Sequence, residues 1–106
     1  MTNPSNTQPK LDVLCIPLEG ADFVIVPYRK HENKPLLDSE NTPILEQLQK
    51  CVTLAGLPGI VAFVWPLDNG GVGYFPSDSL PLRTFALKNT YKQIEERCKH
   101  VIPCTF

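Results

Sequence analysis

The sequence predicts an α+β fold: a two-layer sandwich whose mixed sheet of four to five strands carries two helices, in the order β-β-α-β-β-(β)-α. Three observations support this. Two pairs of apolar runs rich in β-branched and aromatic residues are each joined by a glycine-containing turn. Two further segments repeat apolar residues at helical spacing. The 106 residues fit one domain.

The elements follow in order. Residues 1–10, MTNPSNTQPK, are polar with two prolines and read as a disordered N-terminal tail; residues 11–106 form the single α+β domain. Leu11 to Leu18 is a strand with apolar residues on both faces. Glu19-Gly20-Ala21 supplies a turn, and Asp22 to Tyr28 returns as the second strand of a hairpin. Pro17 and Pro27 cannot donate ladder hydrogen bonds, which places them near strand ends or on an open edge. Residues 29–41 form a long polar connection, and the sequence leaves open whether it is ordered.

Thr42-Pro43 reads as the N-cap and first residue of a helix. Ile44, Leu45, Leu48, Cys51, Val52 and Ala55 form its apolar stripe, and Gly56 ends it. Ile60 to Leu67 is the most apolar strand. Asp68-Asn69-Gly70-Gly71 is a hairpin turn, because Asn and Gly accept positive φ, and Val72 to Phe75 pairs back. Leu80 to Leu87 admits two readings, a fifth strand by alternation or an irregular lead-in to the last helix. Thr90 with Gln93 has the capping-box spacing. Leu87, Tyr91, Ile94, Cys98 and Val101 then share one helical face, Glu95 and Lys99 are an i,i+4 pair, and Pro103 ends the helix.

Helices on one side of such a sheet leave a second apolar face that includes residues such as Val24, Val26, Val61, Phe63 and Trp65. That face needs a cover, and a symmetric homodimer is the simplest one. The expected partners are therefore a second copy or another protein, with a small ligand as a further possibility.

Composition narrows the function. The net charge is −1, and the basic stretch Arg83, Lys88, Lys92, Arg97, Lys99 is diluted by Glu95 and Glu96. A duplex-binding domain concentrates a basic excess on one face, so nucleic acid is not an expected partner. No run approaches the roughly 18–20 apolar residues of a membrane helix, and the N-terminus has no hydrophobic signal core. The expectation is a cytoplasmic protein whose four cysteines, Cys15, Cys51, Cys98 and Cys104, are free thiols.

No motif specifies chemistry. Gly70-Gly71-Val72-Gly73 lacks the Lys-Ser/Thr of a phosphate loop and joins two strands, so it reads as a turn. Cys98, His100 and Cys104 lack the spacing and the fourth ligand of a zinc site; no metal and no cofactor is expected. Neither His31 nor His100 pairs with a thiol, and no catalytic residue is assigned. One spatial inference has content. The unit from Phe23 through the first helix to Leu67 should place its two strands parallel, with their C-terminal ends on one sheet edge. Tyr28, Arg29 and His31 then lie on the same side as Trp65, Asp68 and Asn69. Of these, Tyr28, Arg29, His31, Trp65 and Asp68 form the candidate ligand-binding patch, with aromatic surface and an anion-binding fork. The sequence thus points to a non-catalytic binding or protein-interaction module, homodimeric. The alternative is a small enzyme or small-ligand sensor using that patch.

Overall fold

A computed structural model describes residues 10–29 and 38–104. The α+β class holds, with one mixed sheet of five strands and three helices. The chain runs β1 (Lys10–Leu18), β2 (Ala21–Pro27), α1 (Asp38–Leu54), β3 (Ile60–Pro66), β4 (Val72–Phe75), α2 (Leu80–Lys88), α3 (Tyr91–Arg97) and β5 (His100–Pro103). The strand order across the sheet is β4-β3-β2-β1-β5.

Both hairpins form where the turn residues place them. Leu18 pairs with Ala21, and the two residues between them, Glu19 and Gly20, both have positive φ, 49° and 85°. This is the twist that suits a two-residue hairpin. In the second hairpin Leu67 N–H donates to Gly71 O, and Gly70 N–H donates to Leu67 O, with Gly70 at φ 82°. Asn69 Oδ1 accepts from Gly71 N–H at 2.8 Å and fixes the turn from within. β2 and β3 are parallel, from Phe23↔Ile60 to Pro27↔Val64, as the intervening helix requires.

Strand alternation divides the core in two. On one face Val24, Val26, Val61, Phe63 and Trp65 pack with Leu48, Cys51 and Val52 of α1. On the other Phe23, Ile25, Ala62 and Val64 pack with Leu82, Phe85 and Ala86 of α2 and with Tyr91 and Ile94 of α3. The two helices expected on a single layer become three, distributed over both faces. The second apolar face is covered by the chain itself. The homodimer argument rested on that face being bare, so a dimer now needs a different surface.

Several boundaries differ from the sequence reading. Lys10 belongs to β1, where it pairs with Pro103; the rest of the proposed tail, 1–9, lies outside the described residues. Helix α1 starts at Asp38, so Pro43 lies inside it and not at its first position. Of the 29–41 connection, 30–37 lies outside the described residues. At its other end α1 closes as expected: Gly56 takes φ 76°, and Leu57 N–H bonds to Val52 O.

Leu80–Lys88 is a helix, neither strand nor irregular. Ser79 Oγ caps it by accepting from Leu82 N–H, Pro81 lies in the first turn, and Asn89 Nδ2 donates to Phe85 O at 2.9 Å. Leu82, Phe85 and Ala86 are buried at i, i+3, i+4, a helical period hidden beneath the alternation of Leu80, Leu82 and Thr84. The capping box of α3 forms as read, Thr90 Oγ1 accepting from Gln93 N–H and Gln93 Oε1 from Thr90 N–H. That helix stops at Arg97, however. His100–Pro103 becomes a strand because Lys10–Val13 offers an unpaired edge to it. His100 is therefore not a last-turn helix residue, Lys99 lies beyond the helix, and Val101 is exposed.

The four-thiol expectation is also corrected. Cys51 and Cys104 form a disulfide, leaving Cys15 exposed and Cys98 buried as free thiols. The bond follows from topology: α1 covers the same face that the chain reaches as it leaves β5, and the Cα atoms stand 5.3 Å apart. Among the described residues no helix is long and apolar enough to cross a membrane.

Candidate functional site

The parallel β2–β3 pair brings the C-terminal ends of both strands together, and Tyr28 N–H donates to Val64 O at 2.7 Å. The side chains expected to form the patch nevertheless part at this point. Trp65 is fully buried on the α1 face, with its ring centroid 5.4 Å from that of Phe63. Tyr28 packs on the same face, edge-on to Phe63 at 5.8 Å, and burial raises its phenol pKa. Arg29 turns to the opposite face. Its Nη2 lies 2.9 Å from Glu95 Oε1 of α3, and its guanidinium covers the Tyr91 ring at 4.9 Å. Asp68 is exposed in the β3–β4 turn, and His31 lies outside the described residues. The four described members do not share one accessible surface.

Arg29 instead ties the end of β2 to α3. Burial, then the negative charge of Glu95, hold the Tyr91 phenol protonated, with Arg29 opposing. The ion pair is half in solvent, so its worth is at most about 1 kcal/mol.

The remaining sulfur chemistry is closed. Cys98 is buried on the α2/α3 face and its Sγ donates to Ile94 O at 3.2 Å. Burial, followed by the charges of Asp12 and Glu95, pushes its pKa up to about 12. Cys104 lies in the other core and is bonded to Cys51, and His100 is exposed, so the sheet separates this triplet. Two results are expected. At pH 8 an alkylating reagent modifies Cys15 rapidly in the native protein and Cys98 only after unfolding. A thiol pKa raised on folding also adds stability below the ordinary value of 9.0, lost as pH rises from there towards about 12. Melting followed at stepwise pH should therefore decline more steeply above pH 9 in the natural protein than in Cys98→Ala.

The concave surface lies elsewhere. A cleft of about 400 Å³ opens between the β3–β4 turn with strand β4 on one side and the α2–α3 junction on the other. Its lining is apolar over Leu67, Val72 and Ala86, with Leu87 at the exposed rim. Asn69 Oδ1 and Gln93 Oε1 are committed to backbone N–H groups, which leaves the amide N–H₂ of each as a donor. Asn89 is committed the other way, its Nδ2 donating to Phe85 O, which leaves its Oδ1 as an acceptor, and the Tyr74 and Thr90 hydroxyls can do either. Among the described residues Lys88 is the one charged group on the lining, and no carboxylate, thiol or imidazole stands there. The cleft therefore offers a cation and two amide donors, with no competing negative charge among the described residues, beside an apolar surface.

Comparison with known protein families, with curated proteins and with solved structures returned no match.

Sequence reasoning missed the cleft. Its lining comes from two stretches, residues 67–74 and 86–93, and the element that brings the second beside the first, α2, was not read as a helix. The signal that was present is the Asn-Gly turn followed by a short strand with no charged residue. It marks an edge with no charge along its length, protected only by its shortness and by Pro76 at its end.

Proposed function

We propose that this protein is a non-catalytic binding module whose ligand seats a carboxylate in the cleft between the β3–β4 turn and the α2–α3 junction. The observation that carries the reading is the Lys88 cation with the amide donors of Asn69 and Gln93 beside apolar side chains, the composition of sites that orient a ligand with few polar groups. The described lining residues include no carboxylate, imidazole or thiol to serve as general base or nucleophile, which favours binding over catalysis.

The test is a titration of the ¹⁵N-labelled protein with acetate and benzoate. Saturable shifts are expected at Asn69–Val72 and Lys88–Gln93, larger for benzoate. Shifts that saturate at Tyr28 and Arg29 instead would return the function to the β2–β3 end, and shifts nowhere would dismiss the cleft.

Location is proposed together with the disulfide. The Cys51–Cys104 bond is of a kind that persists in oxidising compartments, which favours one of these over the cytoplasm. Trapping thiols in freshly opened cells decides: two modified cysteines per chain place it in an oxidising compartment, four in a reducing one.

A further inference from the structure

We infer that the ligand of this cleft is an extended peptide segment of another protein, carrying an acidic side chain and added to the sheet as a sixth strand along β4. The inference rests on the cleft being the binding site.

Strand β4 is one edge of the sheet. The bond from Leu67 N–H to Gly71 O sets the antiparallel alternation, so Gly73 and Phe75 direct their backbone groups at β3. Val72 and Tyr74 direct theirs outward, and both residues line the cleft. The open edge and the donor-rich wall are thus parts of one surface. A strand laid along β4 can exchange N–H···O bonds with both residues while alternate side chains reach over Ala86 and Leu87.

The two edges of the sheet are treated differently. At β5 the outer strand carries His100 and Pro103 and follows Lys99. Charge and a missing donor are the usual protection of an edge against pairing. Val72-Gly73-Tyr74-Phe75 has neither a charge nor a proline within it.

Charge chooses the occupant. Lys88, the Asn69 amide and the Gln93 amide all donate, so a carboxylate on the incoming strand complements them. A second copy pairing β4 with β4 would bring the same donors and a second Lys88 towards the first. An acidic peptide suits the surface better than self-association.

The experiment selects a display library of random octapeptides on the full chain and synthesises the strongest binder. Enrichment of alternating β-forming residues with an Asp or Glu is expected, and the bound peptide should slow amide exchange at Val72 and Tyr74. N-methylation of alternate peptide residues should weaken binding about tenfold in one register and leave the other unchanged. Replacing the peptide acid by its amide should weaken binding to the natural protein several-fold, and Lys88→Gln should remove most of that difference. Equal tolerance of N-methylation in both registers overturns the strand-addition inference. So does protection of Val72 and Tyr74 that grows with protein concentration and no peptide, which assigns the edge to a second copy. If no octapeptide enriches while benzoate still shifts the cleft, the peptide inference fails and the binding-module reading stands.

Discussion

Reducing the Cys51–Cys104 bond is expected to lower the stability of the folded chain by about 2–4 kcal/mol. The bond closes a loop with a sequence separation of 53, and a crosslink of that span removes on the order of 4 kcal/mol of chain entropy from the unfolded state. For a domain of this size the loss corresponds to a fall of about 10–20 °C in melting temperature. The effect should be local before it is global. β5 is a four-residue edge strand held to Lys10–Val13 by one ladder, and Val101 faces solvent. The crosslink anchors the chain just beyond it to the last turn of α1. Once the bond is open, amide exchange should accelerate first across Val101, Ile102 and the β1 residues they pair with, while β2 and β3 stay protected. The measurement is thermal melting with and without a phosphine reductant, repeated on Cys51→Ala/Cys104→Ala. An unchanged midpoint in both would show that packing of β5 alone holds the C-terminal end.

Local chemistry explains which parts of the fold were legible in the sequence. Glu19-Gly20, Asn69-Gly70 and Thr90 with Gln93 act through hydrogen bonds and φ values within four residues, and each turn or cap formed at its place, although Ala21 joined β2 and Asn69 acts through its side-chain oxygen, with Gly70 alone at positive φ. The parallel β2–β3 pair followed from a helix joining two apolar strands. What failed depended on distant partners. His100–Pro103 continues a plausible helical stripe until Lys10–Val13 presents an edge that competes for its backbone. Cys51 and Cys104 each read as a free thiol, because nothing in their spacing says that α1 and the chain beyond β5 meet. The candidate patch failed to converge for a similar reason: just beyond β2, Tyr28 packs on the α1 face while the exposed Arg29 reaches to Tyr91 and Glu95 of α3 on the other. Trp65 was placed correctly along the sheet, but its burial depends on register, which set Gly73 directly across from it.

That register yields the second large effect. Gly73→Ala should destabilise the fold by about 3 kcal/mol, although alanine is ordinarily the better residue in a strand. Added at Gly73, a Cβ would fall inside contact distance of Trp65 Cε2 and Nε1, and 2.8 Å from Cζ2. The indole lies across the bare Cα of its cross-strand neighbour, a pairing in which an aromatic ring covers glycine. It has nowhere to go. Trp65 is fully buried, and Phe63, whose ring centroid lies 5.4 Å from it, is itself held by Phe75 at 5.7 Å. Overpacking of this kind costs about 1–3 kcal/mol and sometimes more. The opposing gain, from a less flexible unfolded chain, is only about 0.4–1 kcal/mol. The clash therefore wins. A second substitution separates steric conflict from a general loss at this position. Trp65→Leu removes the ring atoms that the methyl group meets, so it should be destabilising alone by opening a void, yet recover part of the loss when combined with Gly73→Ala. Urea unfolding followed by circular dichroism suits all four proteins, since Trp65 is the only tryptophan and its fluorescence vanishes in two of them. Additive losses in the double variant would mean that Gly73 is needed for its backbone and not for the space it leaves above the indole.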